Sequence, residues 1–225
     1  MHSNSHPIHA HINLNDFDAA IFDMDGTMIN NMDYHKKAWR AFAKKHGVEI
    51  TDEEFKQKFS GQKNDKIFTG FFGRELSPEE LEKYAEEKES IYRALYASEI
   101  KPVAGLVAIL ELLKSAGKKL AVATTAPKGN RDFGLKALGF ENAFAVILGE
   151  EHAKQGKPHP EIYLETAKKL NVEPARCIVF EDSPPGVEAG KSAGMTVIAL
   201  MTTHSEEDLQ DADYTVKDFT EITFQ

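Results

Sequence analysis

From Lys101 onward the chain alternates short, unbroken apolar runs with amphipathic stretches, and this alternation constrains the fold more than any other feature. Leu120-Ala121-Val122-Ala123 and Ile178-Val179-Phe180 lack the every-second-residue polarity of a half-solvated strand, as expected of parallel strands covered on both faces. The spacing predicts helices over 105–115, 130–138, 160–170 and 186–193, strands over 120–124, 145–148, 177–180 and 196–200, and a short strand near Tyr214. An earlier apolar run, Phe17 to Phe22, reads as another buried strand. Between it and the alternating part, Trp39, Phe42, Phe68, Leu81, Tyr84 and Ile91 recur at helical spacing among many charges. The simplest architecture is an α/β doubly wound parallel sheet interrupted after its first strand by an all-helical insert. Its expected parts are a leader over 1–15, flexible in character, a core over 16–31 and 99–225, and a helical cap over 32–98.

With 225 residues, 41% apolar and 28% charged, the chain can bury a substantial core and has the balance of an ordinary soluble protein. Its net charge of −9 argues against nucleic acid or an anionic membrane as the main partner, since both call for a basic face. No apolar run approaches the roughly 20 residues of a membrane helix. Cys177, flanked by Ile178 and Val179, reads as a buried strand residue, and a lone cysteine suits a reducing cytoplasm. The opening His2, His6, His9 and His11 are spaced irregularly in a polar tail, which favours a leader over a metal site.

Polar clusters follow directly after the expected strands, where ligands of doubly wound sheets bind. Asp23-Met24-Asp25-Gly26-Thr27 places two carboxylates at a strand end before a tight turn; one can attack and the other can trade a proton, although an isolated Asp-x-Asp-Gly is also an ordinary turn. Thr124 and Thr125 offer hydroxyls and backbone N–H groups near a helix start, a cradle for phosphate oxygens or simply β-branched strand chemistry. Lys157 sits in Gly156-Lys157-Pro158-His159-Pro160, a stiffened loop that can hold an ammonium against a carboxylate and a phosphoryl group or present a surface lysine. Glu181 and Asp182 suit a hard cation such as Mg²⁺, while Asp182-Ser183-Pro184 also resembles a helix N-terminus. Singly each is ambiguous; together they supply a nucleophile, an acid/base, an oxyanion cradle, a positive clamp and a metal site.

These ordered motifs resemble those of the haloacid dehalogenase-like phosphotransferases over nearly the whole chain. The helical insert, the stretch Asp33-Tyr34-His35 to Trp39, and Phe180-Glu181-Asp182-Ser183 with Gly186 and Ala189-Gly190 resemble the β-phosphoglucomutase-like branch. The resemblance implies a Rossmann-like catalytic core with Asp23 as nucleophile and Asp25 as general acid/base. It implies Mg²⁺ bound by Asp23, the Asp25 carbonyl and Asp182 with Glu181 in support, and the phosphoryl group held by Thr124, Lys157 and the Thr125 backbone. His35, Lys63 and Lys88 become candidate substrate contacts, Lys63 as a point charge and His35 and Lys88 each weighed against a solvated helix residue. Where the mutases carry a cap-loop arginine, this sequence reads Ser60-Gly61-Gln62-Lys63-Asn64, and Lys63 lacks the guanidinium fork.

The leading expectation is therefore a Mg²⁺-dependent phosphatase of a small phosphorylated metabolite, a sugar phosphate in particular, working through an aspartyl phosphate. The alternatives are a β-phosphoglucomutase-type isomerase, favoured if cap closure excludes water, and an inorganic pyrophosphatase. A binding module without chemistry is disfavoured by the intact set of polar residues, and a dehalogenase by the presence of Asp25 and the magnesium carboxylates. A monomer is the default.

Overall fold

The computed structural model describes residues 10–51, 53–54 and 64–225. The chain divides into two compact units, Met1–Asn30 with Ile100–Gln225, and Asn31–Glu99.

The first unit is built on β2 (Ala19–Phe22), β3 (Lys119–Ala123), β4 (Val146–Leu148), β5 (Cys177–Glu181), β6 (Thr196–Leu200) and β7 (Tyr214–Val216), all parallel, in the order β4-β3-β2-β5-β6-β7. The order reverses direction at β2, the switch point of a doubly wound sheet, where its ligand crevice belongs. Register aligns the strand ends: Phe22 lies opposite both Val122 and Phe180, so the residues that leave β2, β3 and β5 emerge side by side.

Between the strands run α4 (Leu106–Ser115), α5 (Lys128–Leu138), α6 (Glu161–Leu170) and α7 (Pro184–Ser192). Alternate strand residues face opposite ways, so Ala19, Ile21, Val179 and Val197 pack against Ile162, Tyr163 and Ala167 of α6 and Val187 and Ala189 of α7. Phe22 and Phe180 belong to the other face, stacked at 4.6 Å between ring centroids, with Phe219 5.4 Å from Phe180. Both faces being covered explains why these strands read as unbroken apolar runs.

The observed elements match the expected ones to within two residues at each end. The exceptions are β1 (Ala10–Ile12) and β8 (Ile222–Phe224), which pair in parallel as a small second sheet. The leader expected to be flexible over 1–15 is therefore ordered from Ala10: Ala10 and Ile12 bury their side chains, and Leu14–Asp16 forms a 3-10 turn with its first free N–H groups met by Asn13. Ala10–Ile12 lies in a polar, histidine-rich stretch and Ile222-Thr223-Phe224 alternates with polar neighbours, so neither stands out as an apolar run in the sequence.

The second unit contains α1 (Met32–Lys45), α2 (Asn64–Phe72) and α3 (Pro78–Tyr96). Among the described residues it has no strand, and its core gathers Trp39, Phe42, Ile67 and Phe68. α3 begins with a capping box in which the Ser77 hydroxyl accepts from the Glu80 N–H and the Glu80 carboxylate accepts from the Ser77 N–H. No helix among the described residues is long and apolar enough to cross a membrane.

Gly190 marks a close helix-to-sheet approach, because a Cβ there would lie 2.7 Å from Val197 Cγ2 and 3.5 Å from Val179 Cγ1. Gly190→Ala should push α7 off β5 and β6 and lower unfolding stability by about 1–3 kcal/mol, read from the midpoint of urea unfolding at unchanged slope; an unchanged midpoint would show that the helix yields freely.

Candidate active site

Strands β2, β3 and β5 end together, so Asp23, Thr124 and Glu181–Asp182 meet at one edge of the sheet. Lys157 enters from the loop before α6. Its ammonium donates to Asp23 Oδ1 at 2.6 Å and to Glu181 Oε1 at 2.5 Å, with the Ala123 carbonyl at 3.4 Å. The surface-lysine alternative is thereby removed: the Lys157 side chain is 8% exposed. The Lys157-Pro158 peptide in this loop is cis.

Glu181 has little capacity left. Its Oε1 accepts from Lys157 and from the Tyr163 hydroxyl at 2.8 Å, while Oε2 accepts from the Asp182 N–H, the Ser183 N–H and the Ser183 hydroxyl at 2.9, 3.2 and 3.1 Å. It serves as an anchor that fixes Lys157 and the β5–α7 turn. Gly186 makes room for it, since a Cβ there would fall 1.9 Å from the carboxyl carbon.

Asp182 is free of the capping duty that its sequence position suggested. Ser183 caps α7 by accepting from the Gly186 N–H, with Pro184 opening the helix, and the Asp182 carboxylate turns instead toward the β2 loop. Thr27 Oγ1 lies 3.4 Å from Asp182 Oδ1, and Thr203 Oγ1 donates to Asp182 Oδ2. Gly26, at φ +84°, closes this contact: a Cβ would meet Asp182 Oδ2 at 2.1 Å, so a side chain is refused both by backbone conformation and by space. Asp25 sits in the same turn, half-buried, its backbone bridged to Ile29. Thr124 is buried, its hydroxyl accepting from the Ala126 N–H at 3.1 Å, and Thr125 is exposed beside it.

The electrostatics follow from this crowding. Burial, opposed by Lys157 and reinforced by Glu181 and Asp182, pushes the Asp23 carboxyl well above the usual range. Burial and then the Glu181 charge push Asp182 up to about 7. Burial would lower Lys157, but the carboxylates of Asp23 and Glu181 outweigh it and hold the ammonium well above its ordinary value. Burial would raise Glu181 too, yet the neighbouring Lys157 charge holds it below the carboxylate norm. Three carboxylates face one ammonium, and their oxygens lie within 4.8 Å of one another. Carboxylate oxygens this close, with a single ammonium against three acids, are the donor type and charge that suit a hard divalent cation such as Mg²⁺. With Glu181 engaged, Asp23 and Asp182 are the side chains that have oxygen to offer.

The other candidates lie in the helical unit. His35 stacks on Tyr92 at 3.9 Å, its Nδ1 is 2.9 Å from Lys88 Nζ, and Lys88 pairs with Glu89 at 2.8 Å. Neither reads as a solvated helix residue: Lys88 is 3% exposed, and burial followed by the Lys88 charge lowers His35 well below its ordinary value. Lys63 lies outside the described residues. A cleft of about 830 Å³ at the opposite, amino-terminal ends of the strands carries Lys118, Lys119 and Arg176, but these cations are engaged by the Phe17 carbonyl, the Leu170 carbonyl and Asp18. It reads as structural.

Sequence reasoning missed Tyr163 and Thr203, and placed Thr27 in the first motif without a role of its own. Tyr163 is indistinguishable from a core aromatic of α6, whereas Thr202-Thr203-His204, directly after β6, could have been found by the rule that drew attention to the other strand ends.

Residues 20–200 match the family model of the haloacid dehalogenase-like hydrolases. The chain is similar to a validoxylamine A 7'-phosphate phosphatase of Streptomyces hygroscopicus subsp. limoneus, 32% identical over 92% of this chain and 96% of that protein. It is also similar to a phosphorylated carbohydrates phosphatase of Thermotoga maritima, 33% identical over 79% and 82% of the two chains. Among solved structures, a β-phosphoglucomutase of Clostridium difficile superimposes with a TM-score of 0.76 at 32% identity, covering 91% of this chain and 92% of that one. By sequence and by fold, the chain belongs to the haloacid dehalogenase-like hydrolases, in their β-phosphoglucomutase-like branch.

Proposed function

We propose that this haloacid dehalogenase-like phosphohydrolase is a Mg²⁺-dependent phosphatase of a small phosphorylated metabolite, a sugar phosphate above all, and that it works through a phosphorylated Asp23. The observation that carries the reading is the buried Lys157 ammonium held between Asp23 and Glu181 beside Asp182, at the carboxyl ends of β2 and β5. Asp23 Oδ1 bears the lysine, which fixes the carboxylate and leaves its other oxygen for attack on phosphorus. Asp23 Oδ forms a bond to phosphorus as the bond to the leaving oxygen breaks, and Asp25 gives that oxygen its proton. Water then attacks the phosphoaspartate, passes a proton to Asp25 and releases phosphate, which restores both carboxyls.

Thr124, through its hydroxyl, and Thr125, through its backbone N–H, are the groups assigned to the equatorial phosphoryl oxygens, with Lys157 supplying charge. Mg²⁺ would be held by Asp23 and Asp182 with the Asp25 carbonyl, and when bound it neutralises charge on the phosphoryl oxygens. Glu181 supports it at one remove by fixing Lys157. Two named phosphatases among the relatives, one of them acting on phosphorylated carbohydrates, support the leaving-group class; the similarity to a β-phosphoglucomutase keeps the isomerase as the second reading.

Phosphate release with Mg²⁺ should be fast for a subset of sugar phosphates and slow for pyrophosphate, and β-glucose 1-phosphate should yield free phosphate rather than glucose 6-phosphate. Asp23→Asn should cost at least about 10³-fold in kcat with an unchanged circular dichroism spectrum. Isomerisation without phosphate release would favour the mutase, and undiminished turnover by Asp23→Asn would remove the nucleophile.

Stability should show the same charges. Asp182 titrates near 7 in the folded protein against 3.8 as its ordinary value, so the folded state binds more protons between those values. Without metal, stability from this group is therefore present at low pH and lost as pH rises toward 7. Mg²⁺ competes with that proton, and the rise in Tm on adding Mg²⁺ should be larger at pH 8 than at pH 6. An equal rise at both pH values would contradict this coupling.

A further inference from the structure

The segment Thr202-Thr203-His204, just beyond the end of β6, contacts both the β2 turn at Gly26 and Asp182. Thr202 Oγ1 donates to the Gly26 carbonyl at 2.5 Å. Thr203 Oγ1 reaches Asp182 Oδ2 and lies 3.1 Å from the Asp182 carbonyl, and His204 Nδ1 is 2.9 Å from that carbonyl. A threonine hydroxyl has one hydrogen to give, and three acceptors surround it, the third being His204 Nδ1 at 2.8 Å. With the imidazole proton on Nδ1, His204 donates to the Asp182 carbonyl, and the Thr203 hydrogen goes to the carboxylate. The two residues then tie the main chain and the side chain of Asp182 to the same turn.

We propose that Thr203 is a positioning residue for the divalent cation: its hydroxyl holds Asp182 in the one orientation that offers a carboxylate oxygen toward Asp23. The inference rests on the Mg²⁺ reading above. The Asp182 carboxylate is wedged between Gly26 on one side and Thr203 on the other, and Glu181, whose charge repels it, is fixed beside it by five donors. Without the hydroxyl, the repulsion from Glu181 and the weaker Thr27 contact at 3.4 Å leave Asp182 free to turn away. Partners of metal ligands typically contribute 10–100-fold to metal affinity, because they remove the entropy of orienting the ligand.

The test is calorimetric titration of Mg²⁺ into substrate-free protein at pH 8, for the wild type, Thr203→Val and Thr203→Ser. Valine matches threonine in shape and lacks the hydroxyl, so the fold should persist, as far-ultraviolet circular dichroism checks. The dissociation constant should rise 10–100-fold in Thr203→Val and return to within about threefold in Thr203→Ser. Equal Mg²⁺ affinity in wild type and Thr203→Val would overturn the positioning role and leave the phosphatase reading intact. A wild type that binds no Mg²⁺ would overturn both, and a Thr203→Val protein with lowered Tm but unaltered Mg²⁺ affinity would assign Thr203 a purely structural part.

Discussion

Everything at the carboxyl end of the sheet is organised around one buried ammonium. Lys157 contributes a single positive charge to a pocket that holds Asp23, Glu181 and Asp182, and a buried charge persists only when it is paired and hydrogen-bonded. Its three contacts, to Asp23, Glu181 and the Ala123 carbonyl, join the ends of β2, β3 and β5 into one unit. The balance is incomplete with Lys157 alone. Removing the lysine would leave uncompensated carboxylates in a site that already raises Asp23 and Asp182, whereas adding a divalent cation completes the neutralisation.

The surrounding packing serves this arrangement. Stacked Phe22 and Phe180 lie opposite each other in the register that brings Asp23 level with Glu181, and the absence of side chains at Gly26 and Gly186 lets the β2 turn and α7 approach the carboxylates closely, while Gly190 lets α7 lie close on Val197 and Val179. The five donors around Glu181 occupy both of its oxygens, so the two acidic neighbours in Glu181-Asp182 have separate tasks despite their identical charge. One holds the lysine and the turn; the other is available to a cation.

Much of this was legible in the sequence because it depends on local patterns. Unbroken apolar runs marked the parallel strands, and polar clusters directly after a run marked the site edge for Asp23, Thr124, Glu181 and Asp182, while Lys157 was drawn in by its proline-stiffened Gly156-Lys157-Pro158 loop and by the ordered motifs. What escaped depended on contacts distant along the chain. The β1–β8 pair joins the two ends of the described chain through short strands set among polar residues, which give no apolar run to read. Tyr163 donates across to Glu181 from a helix position that pattern alone assigns to the core. Lys88 and His35 lie among charged helical neighbours that suggest solvent, yet stacking on Tyr92 and pairing with Glu89 bury them. Whether Asp182 or Ser183 would cap α7 could not be read from adjacent residues that both favour the role.

The central claim is that the oxygen of Asp23 not held by Lys157 becomes covalently phosphorylated. The most direct measurement is acid quenching of the enzyme within milliseconds of mixing with Mg²⁺ and a turned-over sugar phosphate, followed by mass spectrometry of its peptides. The account predicts one hydroxylamine-labile phosphoryl group on the peptide containing Asp23, absent from Asp23→Asn; steady turnover with no phosphorylated peptide, or with the phosphoryl group on another residue, would contradict it.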